Sequence, residues 1–485
     1  MIKIAFPLLA SVALGACSLA PKYVEPALPV PASWPVGDAY LRQSEAALPS
    51  VSYSDIFRDP RLQRIIQQAL VNNRDLRIAA ANIAAARAQY RIQRADLFPQ
   101  IDASGNATRS DSGTGSTNAS GQSNAGGARN SFSTDLGFTA FEIDLFGRVR
   151  SLSTAAQNRY FATEAAARAT RLTLVGDIAT AWLNYAADRS LLKIAQDTAA
   201  SAERSVTLTD LRRAGGVAPR TDVAQSKLVL AQAQSDLAEQ RTALAQDVNA
   251  LQLLVGAPVD TTLLPQTIEE AGKTLAELPA GLDSAILLRR PDVLQAEYEL
   301  RATNAEIGAA RAALFPRISL TAVLGLASNA LGGLFSGGAF NYSAGPSVSY
   351  PIFNAGAGRA NVRLTEAQRD AALATYERAI QTAFQEVSDA LARRGTIADQ
   401  NRAALALAAA ATDNYRLSDA RYRGGIDTFL QSLDAQRSLY SARRSLVATQ
   451  LTAATNLATL YRVLGGDALL VATPAGPVPV TAPRP

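Results

Sequence analysis

The amino-acid sequence predicts an α+β membrane protein with an internal twofold repeat. Several copies would close its four β-strands per chain into a barrel, and long α-helices would pack side by side. Three observations predict this fold. Two Ala-rich helical patterns break at Leu-Phe-Pro, and the two prolines, Pro99 and Pro316, stand 316 − 99 = 217 residues apart. Period-two strand patterns follow each break, and long stretches of helical composition follow each strand pair. The chain therefore uses one supersecondary unit twice.

The composition favours closely packed helices over a single bulky core. Of the 485 residues, 48% are hydrophobic but only 6% are aromatic, so the apolar content is mainly Ala, Leu and Val. The net charge of +5 comes from 47 basic and 42 acidic residues that are interspersed along the chain. Such a pattern is typical of solvated helix faces, and no basic cluster argues for nucleic acid.

The sequence lacks the residues on which common catalytic and metal sites depend. It contains no histidine and one cysteine, and no Gly-rich phosphate loop follows a strand. Histidine-based triads, histidine metal sites, cysteine-rich zinc sites and intrachain disulfides are therefore excluded. We predict that the protein is not an enzyme and has no cofactor or metal.

The N-terminus has the layout of a short export signal. Lys3 precedes an apolar run from Ile4 to Leu14, and Leu-Gly-Ala-Cys then ends at Cys17. This region resembles the lipobox of bacterial lipoproteins, which implies cleavage before Cys17 and acylation of its side chain. By the same resemblance, Ser18 favours delivery to the outer membrane. The alternative is an ordinary signal peptide with an incidental buried cysteine.

The two helical patterns before the strands end for the same reason. A residue that precedes proline is biased away from helical geometry, so we expect these helices to stop at Phe98 and Phe315. Pro291 stands near the start of the second helix, where a missing amide proton is tolerated.

The strand patterns predict one β-hairpin in each half. Residues 318–327 and 340–352 alternate apolar and polar side chains. In the first half, alternate residues from Phe132 to Phe138 share one face, and the phase then shifts at Phe141, which predicts a β-bulge near Ala140. The strand pattern directly after Pro99 is weaker.

Four strands of about ten residues create a difficulty if they lie in a membrane. Membrane strands must leave no open edge, and the smallest common barrels need about eight strands. One chain cannot close such a sheet, so we predict an oligomer. A soluble four-stranded sheet packed against helices remains the alternative.

The long helical stretches return through a double glycine in each half. Gly215-Gly216 and Gly424-Gly425 stand 424 − 215 = 209 residues apart. On the first returning helix an apolar residue recurs every seven positions, and a column of alanines lies beside it. Two adjacent seams predict a helix that packs against neighbours on both sides. The apolar residues are Val223, Leu230, Leu237, Leu244 and Leu251, and the alanines are Ala224, Ala231, Ala238 and Ala245.

Several long motifs agree in order with one known family. They include "FEIDLFGRVRS", "AIQTAFQEVSDALA" and "RYRGGIDTFLQSLDAQRSLYSAR", together with the lipobox, the twofold repeat and the two Leu-Phe-Pro breaks. From about residue 17 to residue 466 the chain resembles the TolC-like outer membrane factors, in particular the OprM-type branch that serves resistance-nodulation-division efflux pumps.

The resemblance implies a homotrimer in the cell outer membrane. Three chains would form a twelve-stranded β-barrel, continuous with a long α-helical barrel across the periplasm and with a mixed equatorial belt. It would be the exit duct of a tripartite efflux pump, with a periplasmic adaptor protein and an inner-membrane pump as partners. The hairpin tips would face the adaptor, and the helix that follows the second tip would line a periplasmic gate. The tip glycines are Gly215, Gly216, Gly424 and Gly425, and the gate residues are Leu430, Asp434 and Arg437.

These considerations divide the chain into ten segments. They are a signal peptide (1–16), a lipidated arm (17–54), helices of the first repeat (55–98), a first β-hairpin (99–146), a first helical hairpin (147–256), an equatorial segment (257–290), a helix (291–315), a second β-hairpin (316–353), a second helical hairpin (354–464) and a C-terminal tail (465–485). We expect the Pro-rich residues 473–485 to be disordered.

Two other functions remain open at this point. An outer membrane conduit for protein secretion would share most of these features. A lipid-anchored helical scaffold would share the heptads and the anchor, but it would not need period-two strands. The sequence names neither the substrates nor the particular adaptor and pump.

Overall fold

The computed structural model describes residues 19–24, 26–31, 33–35, 37, 40, 52–111, 128–276 and 284–480. The predicted signal peptide and Cys17 lie outside these residues. The chain separates into two compact units, each assembled from three stretches of sequence. We call them the strand unit (residues up to 26, 84–161 and 297–375) and the helical unit (residues 27–83, 162–296 and from 376 onward).

Most of the described chain is helical. Among the described residues, no helix combines the length and the apolar character that crossing a bilayer requires. The helices are α1 (Tyr53–Ile56), α2 (Pro60–Asn72), α3 (Arg74–Ala95), α4 (Arg148–Ala214), α5 (Arg220–Val255), α6 (Ile268–Lys273), α7 (Pro291–Ala312), α8 (Ala357–Arg423) and α9 (Phe429–Val463).

The strand unit contains one antiparallel sheet. Its strands are β1 (Asp102–Asp111), β2 (Ala128–Glu142), β3 (Arg317–Ser328) and β4 (Phe340–Ser349), in the order β1-β2-β3-β4. The weak pattern after Pro99 is thus a full strand. Each hairpin predicted from the sequence is present, and within the described residues β1 and β4 are paired on one side only.

The register places apolar residues in rows across the sheet. Ala103 pairs with Leu136, Leu136 with Leu324, and Leu324 with Tyr342, so these four share one face. All four are exposed, and Tyr342 retains 72% of its accessible surface. Within the described part of the chain, no core covers this apolar row.

The predicted β-bulge near Ala140 is confirmed. The register between β2 and β3 shifts between Phe138 and Phe141. Ala140 has φ +54°, and its backbone N–H donates to Thr321 Oγ1 at 3.1 Å instead of joining the ladder. The bulge explains why the apolar pattern changes phase.

The helices before the strands end earlier than predicted. Helix α3 ends at Ala95 and α7 at Ala312, not at Phe98 and Phe315. The next residues form tighter turns, in which the N–H of Phe98 donates to Ala95 O at 2.9 Å and that of Phe315 to Ala312 O at 3.1 Å. The effect of proline therefore reaches back over a whole turn.

The junction between β2 and α4 is fixed by charged and aromatic contacts. Arg148 donates to both carboxylate oxygens of Glu142, at 2.9 and 2.7 Å, and Arg317 at the start of β3 lies 3.4 Å from the same carboxylate. Phe146 stacks on Phe315, with ring centroids 4.7 Å apart. Asp144 accepts the backbone N–H of Arg150 at 2.9 Å and so caps the first turn of α4. These contacts account for the motif "FEIDLFGRVRS".

The core of the helical unit lies around Trp182, which is fully buried and donates from Nε1 to Leu263 O at 3.1 Å. Arg290, only 7% exposed, donates to Val463 O at 2.8 Å. Its guanidinium also pairs with Asp292 at 2.7 Å and with Glu386 at 2.8 Å. One buried cation thereby joins the start of α7 to α8 and to the end of α9.

The C-terminal tail is partly ordered, contrary to expectation. Strands β5 (Leu470–Val471) and β6 (Val478–Pro479) pair in antiparallel fashion. Val480 N–H donates to Leu469 O at 3.0 Å. Leu470 of β5 is buried, and β6 in the Pro-rich segment pairs with β5. The Pro-rich composition therefore did not prevent this pairing.

Two carboxyl groups face each other across the first helical hairpin. The carboxyl groups of Asp188 in α4 and Asp247 in α5 lie close enough to affect each other's titration. Burial raises the pKa of both acids, and the Asp188 charge raises the pKa of Asp247 further, to about 7. The two carboxyl groups therefore titrate as a pair, and Asp247 takes up a proton more readily than an exposed aspartate does.

We expect Arg290→Met to lower the free energy of unfolding by about 2 kcal/mol, because Val463 O and two carboxylates lose their donor. The urea midpoint of helical circular dichroism measures this. The control is Arg402→Met, because Arg402 pairs with Asp399 at 2.9 Å on the surface, where the two side chains are 78% and 75% exposed. This variant should change stability by less than about 0.5 kcal/mol. Equal effects of the two variants would contradict the role assigned to Arg290.

The stability of the folded state should also decrease as the pH rises, because Asp247 then loses its proton. An acid whose folded-state pKa lies above its unfolded value favours the folded state at low pH, and this contribution is lost as the pH rises from about 4 to above 7. We expect Asp247→Asn to raise the thermal midpoint at pH 8 and to leave it nearly unchanged at pH 5. A midpoint that shifts equally at both values would contradict the raised pKa of Asp247.

Candidate functional site

The two hairpin tips share one backbone geometry. At the first tip Gly216 has φ +76°, and Val217 N–H donates to Arg212 O at 2.9 Å. At the second tip Gly425 has φ +75°, and Ile426 N–H donates to Arg421 O at 2.9 Å. Both are Schellman ends, which need a residue in the left-handed region and so favour glycine.

The glycine just before each of these residues has no such requirement. Gly215 and Gly424 have no positive φ. A Cβ on Gly424 would come no closer than 3.4 Å to Ala420 O, which is ordinary contact, and one on Gly215 would lie 3.6 Å from Leu211 O. The two glycines of each pair therefore differ. The turn requires a positive φ at Gly216 and Gly425, whereas its geometry would accept other residues at positions 215 and 424.

Arg212 joins the first tip to the second. Its Nη1 donates to the backbone oxygen of Tyr422 at 2.8 Å, and its guanidinium carbon lies 4.7 Å from the centre of the Tyr422 ring. Such a cation–π contact contributes about 1 kcal/mol on its own. The bond connects the last turn of α4 with the last turn of α8.

Tyr422 is also the centre of an apolar cluster. It is 4% exposed and packs against Phe429 and Leu433 of α9, and Leu208 of α4 and Val229 of α5 are half-buried against the same group. Burial raises the pKa of the Tyr422 phenol. Side chains from all four long helices thus meet at one point next to the tips.

Further hydrogen bonds connect the two hairpins above the tips. The hydroxyls of Ser201 and Tyr415 lie 2.9 Å apart and join α4 to α8. Tyr440 donates to Asp236 at 2.7 Å and joins α9 to α5. Burial, together with that carboxylate, raises the pKa of Tyr440 to about 12, so the phenol stays a donor at physiological pH.

Arg421 braces the second tip from within. It donates to Asp427 through Nε and through Nη2, the latter at 3.0 Å, across the loop between α8 and α9. This hydrogen bond holds the pKa of Asp427 below its usual range. The loop geometry is thereby fixed on both sides of Gly425.

The three predicted gate residues lie on one exposed face of α9. Leu430 is 61% exposed, and Asp434 and Arg437 are exposed as well. Phe429 and Leu433 are buried on the opposite face of the helix. Within the part of the chain that the structure describes, no ion pair joins Asp434 to Arg437.

The tip residues Arg212 and Tyr422 were not among the predicted site residues. A signal was present, because an Arg-rich segment precedes the double glycine in both halves, as "RRAGG" and "RYRGG". No pattern shows, however, that the arginine of one half binds the tyrosine of the other.

In the described ranges, no group of three or more His, Cys, Asp and Glu residues could hold a metal ion.

Comparison with known proteins identifies what this chain resembles. The family model described as outer membrane efflux protein matches residues 65–257 and 282–466. The probable efflux pump outer membrane protein TtgC of Pseudomonas putida is 45% identical over 455 residues, which cover 93% of each chain. The outer membrane protein OprJ of Pseudomonas aeruginosa is 41% identical over 459 residues, with 95% of each chain covered.

A solved structure agrees with these sequence matches. The open state of the MtrE outer membrane channel of Neisseria gonorrhoeae superposes with a TM-score of 0.81 at 36% identity. The match covers 93% of this chain and 98% of that one.

Proposed function

The chain belongs to the outer membrane efflux protein family, and from that membership and its own geometry we propose that it is the outer membrane channel of a tripartite efflux pump. In this proposal three copies form an exit duct. The duct passes drugs or other small toxic compounds from a periplasmic adaptor and an inner-membrane resistance-nodulation-division pump to the outside.

The open sheet is the observation that carries this proposal. The edge strands β1 and β4 lack a second partner among the described residues, and the apolar row through Leu136, Leu324 and Tyr342 is exposed. Unpaired edges and an apolar face fit a membrane barrel only if other copies complete it. Three copies of the four-stranded sheet would supply twelve strands, which is more than the roughly eight strands of the smallest common membrane barrels.

The returning helix α5 supports assembly as well. Val223, Leu244 and Leu251 of its first seam are buried in the chain, whereas all four alanines of its second seam are exposed. Small residues in a heptad column allow a second helix to approach closely. A helix of another copy is the partner that this column fits.

Efflux is favoured over the other two functions. The relative TtgC carries the name of an efflux pump component, and neither its name nor that of OprJ mentions protein secretion. A helical scaffold would have no use for the exposed apolar row of the sheet. The acyl group on Cys17 then supplements the barrel in holding the protein in the outer membrane, with the helices in the periplasm.

The tips and the α9 face would form the regulated end of the duct. Arg212 and Tyr422 hold the two hairpins of one chain together, which favours a closed arrangement. Three copies of Leu430, Asp434 and Arg437 would ring the axis, where close carboxylates favour cations over anions. Opening requires that contacts of the adaptor or pump stabilise the splayed arrangement more than these bonds stabilise the closed one.

The test of this function is efflux by living cells. In a strain that lacks this protein but keeps its pump and adaptor, the unmodified gene should restore export of a fluorescent dye. Gly424→Leu should abolish export while heat-resistant trimers still form, because Gly424 needs no special backbone geometry and the bulky side chain would meet the adaptor. Gly272→Leu in α6 adds the same side chain where nothing lies within 4 Å, and it should export normally. Failure of the unmodified gene to restore export would refute the proposal.

The gate is tested by conductance in planar bilayers. We expect Asp434→Ala combined with Arg437→Ala to raise single-channel conductance and to weaken cation preference, with little change in trimer stability. The matched control is Asp399→Ala combined with Arg402→Ala, which removes an acid and an arginine at the same spacing on α8. Unchanged conductance in the first double variant would place the constriction elsewhere.

A further inference from the structure

The N-terminal arm lies along one face of α7 in the strand unit. The face consists of Glu297, Arg301, Asn304 and Gly308, whose spacings of four, three and four residues align them on one side of a helix. We call this face the α7 track. Residues Ala20 to Tyr23, which follow the predicted anchor residue Cys17, contact it at three points.

Two of these contacts are polar. Asn304 Nδ2 donates to Pro21 O at 2.8 Å, and Asn304 is itself only 9% exposed. Tyr23 Oη donates to Glu297 Oε1 at 3.4 Å. The Arg301 guanidinium carbon lies 4.8 Å from the centre of the Tyr23 ring, while its Nη2 binds Glu297 at 2.6 Å. Both ends of the segment are therefore attached to α7.

The third contact depends on the absence of a side chain. A Cβ on Gly308 would lie 2.7 Å from the Cβ of Ala20 and 2.8 Å from its Cα and N, closer than real Cβ atoms approach. Glycine inside a helix is otherwise unfavourable compared with alanine. Only the close approach of the arm accounts for glycine at this position.

We propose that the α7 track is the docking surface for the arm and that it fixes where the lipid anchor enters the membrane. The second part rests on the acylation of Cys17 proposed above. Cys17 precedes Ala20 by three residues, which span at most about 10 Å. Gly308 precedes Pro316 by eight residues, of which the four up to Ala312 add about 6 Å of helix and the rest form the turn before β3. The anchor is thereby held within reach of the level where β3 begins.

This arrangement separates docking from acylation. The contacts of Pro21 and Tyr23 are made by protein groups alone, so the arm stays on α7 without its acyl chains. Conversely, a residue that blocks the track releases the arm while Cys17 is still acylated. An anchor attached through a free arm would show neither behaviour.

Cleavage after Lys22 measures docking directly. Lys22 is exposed, but its neighbours Pro21 and Tyr23 are held on the track. Trypsin needs a free, extended segment, so a docked arm resists it. With purified full-length protein, mass spectrometry follows the loss of the acylated fragment from Cys17 to Lys22.

We expect Gly308→Ala and Asn304→Ala to speed this cleavage at least tenfold. Alanine stabilises a helix more than glycine does. If Gly308 had no role in holding the arm, Gly308→Ala would therefore not speed cleavage. Gly272→Ala, a helical glycine with open space around it, is the matched control and should be cleaved at the unmodified rate. Cys17→Ser, exported with an ordinary cleavable signal peptide, should also be cleaved at that rate.

Two results would overturn the proposal. If Gly308→Ala is cleaved as slowly as the unmodified protein, the track does not hold the arm. If Cys17→Ser frees the arm as much as Gly308→Ala does, the acyl chains and not the track hold it. Neither result depends on dye export, so loss of the proposed efflux function would be recognised separately by the complementation test.

Discussion

The unsatisfied backbone groups along the edges of the sheet are the constraint on which the rest of the structure depends. Hydrocarbon offers no hydrogen bonds to an exposed N–H or C=O, so a strand in a bilayer needs a partner on both sides. Within the described chain, β1 and β4 each have one partner. The apolar row through Leu136 and Leu324 has no core to cover it. In the proposed trimer, the strands of further copies supply both the missing edge partners and the closed barrel in which this row faces lipid.

Closure of the sheet requires that strands and helices meet at fixed angles, and the junction at β2 provides this. Glu142 accepts from Arg148 of α4 and lies beside Arg317 of β3, so one carboxylate connects two strands and a helix. Phe146 and Phe315 stack beneath it. The same logic continues in the helical unit, where Arg290 joins three helices through buried bonds. Charged groups thus act as fixed connectors where elements change direction, and the alanine-rich faces between them allow close packing.

At the tips the balance is different, because within the described residues no ion pair joins the exposed side chains of Asp434 and Arg437. Arg212 and Tyr422 form one link between hairpins, and the cluster around Tyr422 adds a small apolar core. Asp434 and Arg437 remain exposed on the opposite face of α9. The proposed gate needs a closed state of modest stability, which a partner can outweigh through differential contacts.

Local patterns in the sequence determined the strands, the bulge at Ala140 and the glycines at the tips, because period, proline geometry and positive φ act within a few residues. The position of the helix ends was wrong by a turn, since a tighter turn competes with the helix before Leu-Phe-Pro. Only the tertiary structure decided that Arg212 binds Tyr422, that Asp188 faces Asp247, and that Ala20 rests on Gly308. These partners are tens to hundreds of residues apart in the chain. Whether they meet depends on which helix faces pack together. No local pattern in the sequence shows which faces those are.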